Sequence, residues 1–401
     1  MRPPSGRPGR LLAALAAAVA ATAVVAPAAV ATGTPDPAAP TATEPLRLVP
    51  KAAVEQAAEP FVVAHRGASA YRPEHTLAAY VLGAGLGADW IEPDLVSTKD
   101  GVLVVRHENE ISGTTDVEEH PEFAARRATK VVDGVELTGW FTEDFTLAEL
   151  RTLRAEERLP ALRPRNALWD GLYKVPTFEE VLTLRERLSE ELGREIGVIP
   201  EIKHSTYFTT IGLPMEAEVA RLLREHDLDD AGAPVAVQSF ELTNLVELRT
   251  EHRLRAPLVF LTYHEGAPYD LVAAGDGRTY ADLVIPSSLR DLSRYVDVVG
   301  PSLQQVFEPT GDGSLGAPTS LVADAHAAGL EVVPYTHRPE NEFLPADLRT
   351  GDDPAAWGLA VEHARAVFDA GVDGLFSDAP DVADLARDAF VAERGAAEEA
   401  A

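Results

Sequence analysis

Eight short apolar runs set the limits on what this chain can become. They fall at 61–64, 89–95, 197–203, 234–239, 258–262, 296–301, 331–336 and 373–378, with helical stretches between many of them. Short apolar runs bounded by turn signals suit strands buried on both faces, the condition of a parallel sheet. Helical stretches at 76–85, 177–192, 319–328 and 354–370 occupy the intervals, and the last two close on Gly329 and Gly371. The second opens on the capping box Thr177-Phe178-Glu179-Glu180. Eight strand–helix units predict an α/β protein of the (β/α)8 TIM-barrel class, which needs about 250 residues. A doubly wound open sheet is the alternative, but no Gly-x-Gly-x-x-Gly turn opens the first helix.

The barrel is expected over 61–390, with a large insertion at 108–175 after the second strand. Before it, the turn Asp100-Gly101 leads into a short return strand at 102–106. The insertion is rich in charge and has no sustained periodicity. Its capping box Thr146-Leu147-Ala148-Glu149 predicts one short helix in an otherwise loop-like segment, and Glu118-Glu119-His120 reads as a solvated loop. Residues 391–401 read as a flexible tail. Residues 1–31 have the form of a secretory signal: Arg2, Arg7 and Arg10, then an apolar stretch, then Ala29-Val30-Ala31. Cleavage and export are expected, with a retained membrane anchor as the alternative. Residues 32–60, rich in Ala, Pro and Thr, read as a disordered linker.

The chain has no cysteine, so an exported form must rest on its core or on a metal. Its net charge is −29, and about −32 without the three leader arginines. A field of that sign repels nucleic acid and anionic lipid, so neither is an expected partner, and no stable membrane insertion is expected after signal cleavage. An anionic substrate needs a local patch of opposite sign.

That patch is visible at the strand ends. The first strand finishes on His65 and Arg66, which no core strand requires. Glu92 and Asp94 are two apart on the second, so they share a face, about 7 Å apart along the chain. Pro93 between them removes a ladder N–H, which puts the local strand geometry in question. Glu201 and Lys203 repeat the spacing on the third strand. Barrel enzymes gather their working groups at the C-terminal ends of strands. Buried acids on one face need a cation, and a set of carboxylates without thiols favours Ca²⁺ or Mg²⁺ over zinc. Arg66 and Lys203 suit a phosphate. His65 and His107 supply proton donor and acceptor near neutral pH. Together these groups describe phosphodiester cleavage.

The motifs His65-Arg66-Gly67-Ala68, Pro73-Glu74-His75-Thr76, Glu92-Pro93-Asp94-Leu95, Thr98-Lys99-Asp100-Gly101, His107-Glu108, Glu201-Ile202-Lys203 and Gly374-Leu375-Phe376-Ser377-Asp378 resemble those of the glycerophosphodiester phosphodiesterase family. The likeness runs over about 61–387 and is greatest to the periplasmic bacterial branch. It implies a barrel whose metal is held by Glu92, Asp94 and Glu201, with Ca²⁺ common in this branch, and whose acid–base pair is His65 and His107. It also implies Arg66 and Lys203 on the phosphate, and a small glycerophosphodiester hydrolysed to glycerol 3-phosphate and an alcohol. Gln238-Ser239-Phe240 and Val333-Pro334-Tyr335-Thr336 resemble segments lining the glycerol side, which makes Phe240 and Tyr335 candidate apolar walls. His75, His204 and His337 read as structural, and Asp378 as a helix cap. Glu74 reads either as a partner of His65 or as a cap. Competing functions are a phospholipase C or sphingomyelinase D type of phosphodiesterase, and a phosphate-ester binding protein without turnover.

Overall fold

A computed structural model describes residues 59–399. The signal read at 1–31 and all but the end of the linker read at 32–60 lie outside the described residues. The strands are β1 (Phe61–His65), β2 (Trp90–Glu92), β3 (Asp94–Ser97), β4 (Leu103–Val105), β5 (Ala128–Val132), β6 (Val135–Gly139), β7 (Gly197–Val198), β8 (Glu201–Ile202), β9 (Val237–Ser239), β10 (Leu258–Thr262), β11 (Val298–Pro301), β12 (Glu331–Val332) and β13 (Gly374–Ser377).

Parallel pairing runs β13-β1-β2-β7 on one side and β3-β8-β9-β10-β11-β12 on the other. The two arcs meet where Pro93 and Pro200 interrupt the second and third barrel strands. The ladder crosses these breaks, because Ile199 N donates to Ile91 O at 2.9 Å, Glu201 N to Pro93 O at 2.9 Å and Gln238 N to Pro200 O at 2.8 Å. On the far side, Asp373 N donates to Val332 O at 2.9 Å, Phe376 N to Pro334 O at 3.1 Å and His337 N to Phe376 O at 2.8 Å. Those bonds join the seventh barrel strand to the eighth and close the ring. Each proline has no N–H to offer, so the strand splits there while the barrel persists.

Strand alternation divides the core in two. Val63, Ile199, Ala236, Val259, Leu261, Val298, Val333 and Phe376 fill the barrel interior, while the larger cluster lies between the strands and the helices. Two residues beyond the interior-facing position of a strand, the side chain again points inward. That places His65 above Val63, Glu201 above Ile199, Gln238 above Ala236 and Asp378 above Phe376. Trp90, packed on the interior cluster, carries Glu92 the same way. The apolar plug thus forms the floor of a polar chamber.

Thr76 caps the helix Leu77–Gly85, and the capping boxes at Thr146 and Thr177 both form. Three sequence expectations need correction. The insertion is not loop with one helix: besides the helix Leu147–Leu150 it holds the hairpin β5–β6, whose two-residue turn is Asp133-Gly134. Both turn residues have positive φ (49° and 80°), as a type I′ hairpin requires, so the Asp-Gly pair was the available signal. Residues 391–399 are not a tail but continue the helix Pro380–Glu399. Glu118 and Glu119 are solvated as expected, but they lie in a 3-10 turn, Asp116–Glu119, that buries Val117, rather than in a loop. No helix of the described residues is long and apolar enough to cross a membrane.

Candidate active site

A cavity of about 1090 Å³ opens at the C-terminal ends of the barrel strands, lined by His65, Arg66, Glu92, His107, Glu201 and Lys203 among others. All nine residues singled out by sequence reach this region. Glu92, Asp94 and Glu201 each offer an oxygen such that the three lie within 4.8 Å of one another, and all are buried. Among the described residues this trio of carboxylates is the one group of three or more His, Cys, Asp or Glu with metal-ligating geometry.

The partners of these acids explain their orientation. Glu92 accepts from Arg66 N at 2.8 Å and from Gln238 Nε2 at 3.0 Å. Asp94 Oδ2 is 2.8 Å from His75 Nε2, while its Oδ1 is 3.4 Å from Lys203 Nζ and has no hydrogen bond. Glu201 takes Lys203 Nζ at 2.7 Å. Burial, then the charges of Asp94 and Glu201, pushes the Glu92 carboxyl well up. Burial works to raise Asp94 too, but Lys203 and His75 overcome it and hold that carboxyl well below the ordinary range. Burial outweighs Lys203 at Glu201, and with the Asp94 charge it carries that carboxyl up to about 8. Three buried carboxylates thus share two cations, Arg66 and Lys203, so ionising all three together leaves an excess of negative charge. A further positive charge relieves this, and the buried, unbonded Asp94 Oδ1 is an oxygen free to receive it. The donor set fits a hard divalent cation.

His65 Nδ1 is 2.5 Å from Asp378 Oδ1. Asp378 is itself held by Arg163 Nη2 at 2.6 Å and Arg338 Nε at 3.2 Å. This replaces the capping role expected for Asp378. An ionised carboxylate at Nδ1 fixes the proton there and leaves Nε2 as the free nitrogen. Burial and then Arg66 lower the His65 pKa to about 4, against the pull of Asp378. His107 Nδ1 is 2.7 Å from Glu108 Oε1, a close contact whose angle is not that of a straight hydrogen bond. Burial, with Arg66 and Lys203, depresses His107 as well.

Arg66 sits in the left-handed region (φ 57°), and Gly67 follows at φ 83°, where any Cβ would meet the backbone of Ala79 at 2.5 Å. The turn lets helix and strand pack closely and swings Arg66 back over Asp94, with its Nε 3.6 Å from Oδ2. Glu74 contacts neither His65 nor the helix start. It takes Arg66 Nη1 at 3.1 Å and Arg158 at 2.6 Å, while Thr76 is the cap. The fully buried Arg106 fixes this loop through the carbonyls of Glu74 and His75. His75, read as structural, is buried between Tyr80 and Asp94 and touches a candidate ligand directly. His337 is held by Ser377 and the Ala360 carbonyl, as a structural histidine is. Phe240 and Tyr335 both line the cavity, edge to face with centroids 5.6 Å apart, and Lys203 Nζ lies 5.6 Å from the Phe240 ring.

Sequence reasoning missed Arg158, Arg163 and Arg338. The first two come from the insertion, where no period marks an inward position. Gln238 obeys the same period-two rule that found Glu92 and Glu201.

The family model for the glycerophosphoryl diester phosphodiesterase family matches residues 65–382. The chain is 34% identical over 355 residues to a glycerophosphodiester phosphodiesterase of Arabidopsis thaliana, covering 84% of this chain and 90% of the relative. It is 27% identical to one of Haemophilus influenzae, over 80% of this chain and 87% of the relative. Among solved structures it resembles a putative glycerophosphoryl diester phosphodiesterase of Silicibacter pomeroyi, with TM-score 0.56, 21% identity and coverage of 82% and 92%. An Oleispira antarctica phosphodiesterase, solved with the product sn-glycerol-3-phosphate, aligns with TM-score 0.50 at 21% identity, covering 82% of this chain and 97% of that one. The full-length relatives come from a plant and from bacteria, so they single out no branch.

Proposed function

The chain belongs to the glycerophosphoryl diester phosphodiesterase family, and on that premise we propose a metal-dependent hydrolysis of glycerophosphodiesters to sn-glycerol 3-phosphate and an alcohol. The observation that carries the metal dependence is the trio Glu92, Asp94 and Glu201, within 4.8 Å and mutually repelling inside the cavity that holds both histidines. These three would hold the cation, with Ca²⁺ first and Mg²⁺ second. Bound there, it would supply Lewis-acid polarisation of a phosphoryl oxygen.

The chain's own groups do the rest. Arg66 and Lys203 take the phosphate, each kept charged despite burial by the acids around it. His65 and His107 share proton transfer. One accepts the proton of the attacking oxygen, from water or from the glycerol 2-hydroxyl, and the other protonates the departing alkoxide. Asp378 keeps His65 in the tautomer this needs. Phe240 and Tyr335 wall the glycerol side. The product found in the Oleispira antarctica relative supports this choice of substrate. The leader-like composition read at 1–31 supports work outside the cytoplasm.

The test is release of glycerol 3-phosphate from glycerophosphocholine by the full chain. Activity is expected to vanish with chelator and return with Ca²⁺, and His65→Ala and His107→Ala are each expected to abolish it while the fold persists. Turnover indifferent to chelator overturns the metal. Choline phosphate as product overturns the bond assignment in favour of a phospholipase C type of cleavage.

A further inference from the structure

The two imidazoles of the site are backed in a similar three-part way, and both lines of contact run out to the 108–175 insertion. His65 has a carboxylate at Nδ1, Asp378, and behind it a cation, Arg163. His107 also has a carboxylate at Nδ1, Glu108 at 2.7 Å, and behind it a second imidazole: His204 Nε2 is 3.1 Å from Glu108 Oε2. His204 Nδ1 in turn is 2.6 Å from Asp133 Oδ2, at the tip of the β5–β6 hairpin. An imidazole with a carboxylate on each nitrogen donates from both, so His204 is a cation and plays the part Arg163 plays for Asp378. The contacts form one line from the insertion to the cavity: Asp133, His204, Glu108, His107.

The backbone is shaped to make this line. Asp133 and His204 both have left-handed φ, 49° and 52°. For Asp133 the Asp-Gly turn accounts for it. His204 follows the Glu201–Lys203 segment directly, and its left-handed turn starts the helix Ser205–Thr210 with no side-chain cap bond at all. The strained residue instead spends its ring on the two carboxylates. All four residues line the cavity, with Gly134 of the same hairpin. Glu108 has a side chain 33% exposed, and His204 on its second oxygen is the contact that keeps it beside His107.

We propose that Asp133 and His204 are positioning residues for the reaction, holding Glu108 behind His107 so that the insertion's hairpin tip is part of the proton-transfer apparatus. The inference rests on the assignment of His107 to proton transfer made above. In the bland alternative the hairpin merely covers the cavity and the ion pairs pin it there.

Steady-state kinetics on glycerophosphocholine, with the Ca²⁺-loaded full chain, separates the two. Asp133→Asn and His204→Asn suit the test, because asparagine tolerates left-handed backbone and neither variant should lose the fold. Each is expected to lower kcat about ten-fold, a fraction of the roughly 10²–10⁴-fold that positioned acid–base catalysis supplies. KM should stay within about two-fold. The double variant should lose no more than the worse single one, and His204→Asn should cost nothing further in a His107→Ala background. Additive losses, a change in KM alone, or wild-type kcat in either single variant with melting unchanged would overturn the proposal. A His107→Ala enzyme with full activity would instead remove the premise, and is read before the others. Should His204→Asn melt early, Asp133→Asn at the hairpin end of the line carries the test alone.

Discussion

Replacing Asp378 by asparagine should silence His65 without touching the cavity wall, and the structure gives the size of the loss. Asp378 Oδ2 receives Arg163 at 2.6 Å and faces Arg338 at 3.2 Å, whereas Oδ1 faces His65 Nδ1 at 2.5 Å. An asparagine amide has one acceptor and one donor end. Two arginines at one end demand the oxygen there, which turns the NH2 toward His65. Nδ1 must then accept, so the imidazole proton moves to Nε2, and that nitrogen can no longer take up a proton. Restoring the working tautomer sets two buried donors against each other. That costs one charge-assisted hydrogen bond and leaves a buried donor unpaired, together about 3–5 kcal/mol. At about 1.4 kcal/mol per decade, kcat should fall by roughly 10²–10⁴-fold. The assay is initial-rate glycerol 3-phosphate release at saturating substrate, beside a melt showing that the barrel persists. A folded Asp378→Asn enzyme within about three-fold of wild type would refute both the tautomer reasoning and the role of His65.

Further outcomes follow from the charges. Arg163→Met strips the partner of two buried carboxylates, Glu340 at 2.7 Å and Asp378 at 2.6 Å, so unfolding should become easier by about 3–5 kcal/mol, read by urea denaturation. Glu201→Gln removes one of three repelling acids, so the metal-free protein should melt no lower than wild type while calorimetry shows Ca²⁺ affinity reduced; unchanged affinity discards Glu201 as a ligand. His337 and His363, away from the metal trio, are depressed by burial to about 4 and about 3. The unfolded chain then binds protons that the folded one refuses, so stability should fall as pH drops from about 6.5 toward 4. The loss should be complete only below the folded values, and a His337→Gln variant should show a shallower fall in melting temperature over that window.

The motif residues were legible because barrel strands impose a simple period. Glu92 and Asp94, and Glu201 with Lys203, sit two apart, and two apart on a strand means one face, whatever the rest of the chain does. Pro93 marked the break between β2 and β3 in advance. The eight apolar runs corresponded to the barrel strands because a buried parallel sheet leaves almost no room for polar residues along its length. The capping boxes at Thr146 and Thr177 formed because a cap is satisfied within four residues. All these are local rules, and the sequence carries them whole.

What the tertiary structure alone decided is who stands behind the site. Glu74 turned from His65 to Arg66 and Arg158, and Asp378 turned from a helix cap to the partner of His65, across 313 residues of chain. Arg163 and His204 hold carboxylates from other segments, and no spacing encodes a contact between residues that far apart. The sequence settled which side chains point inward; only closure of the ring settled which charges meet, because electrostatic partners are chosen by distance in space and not by position along the chain.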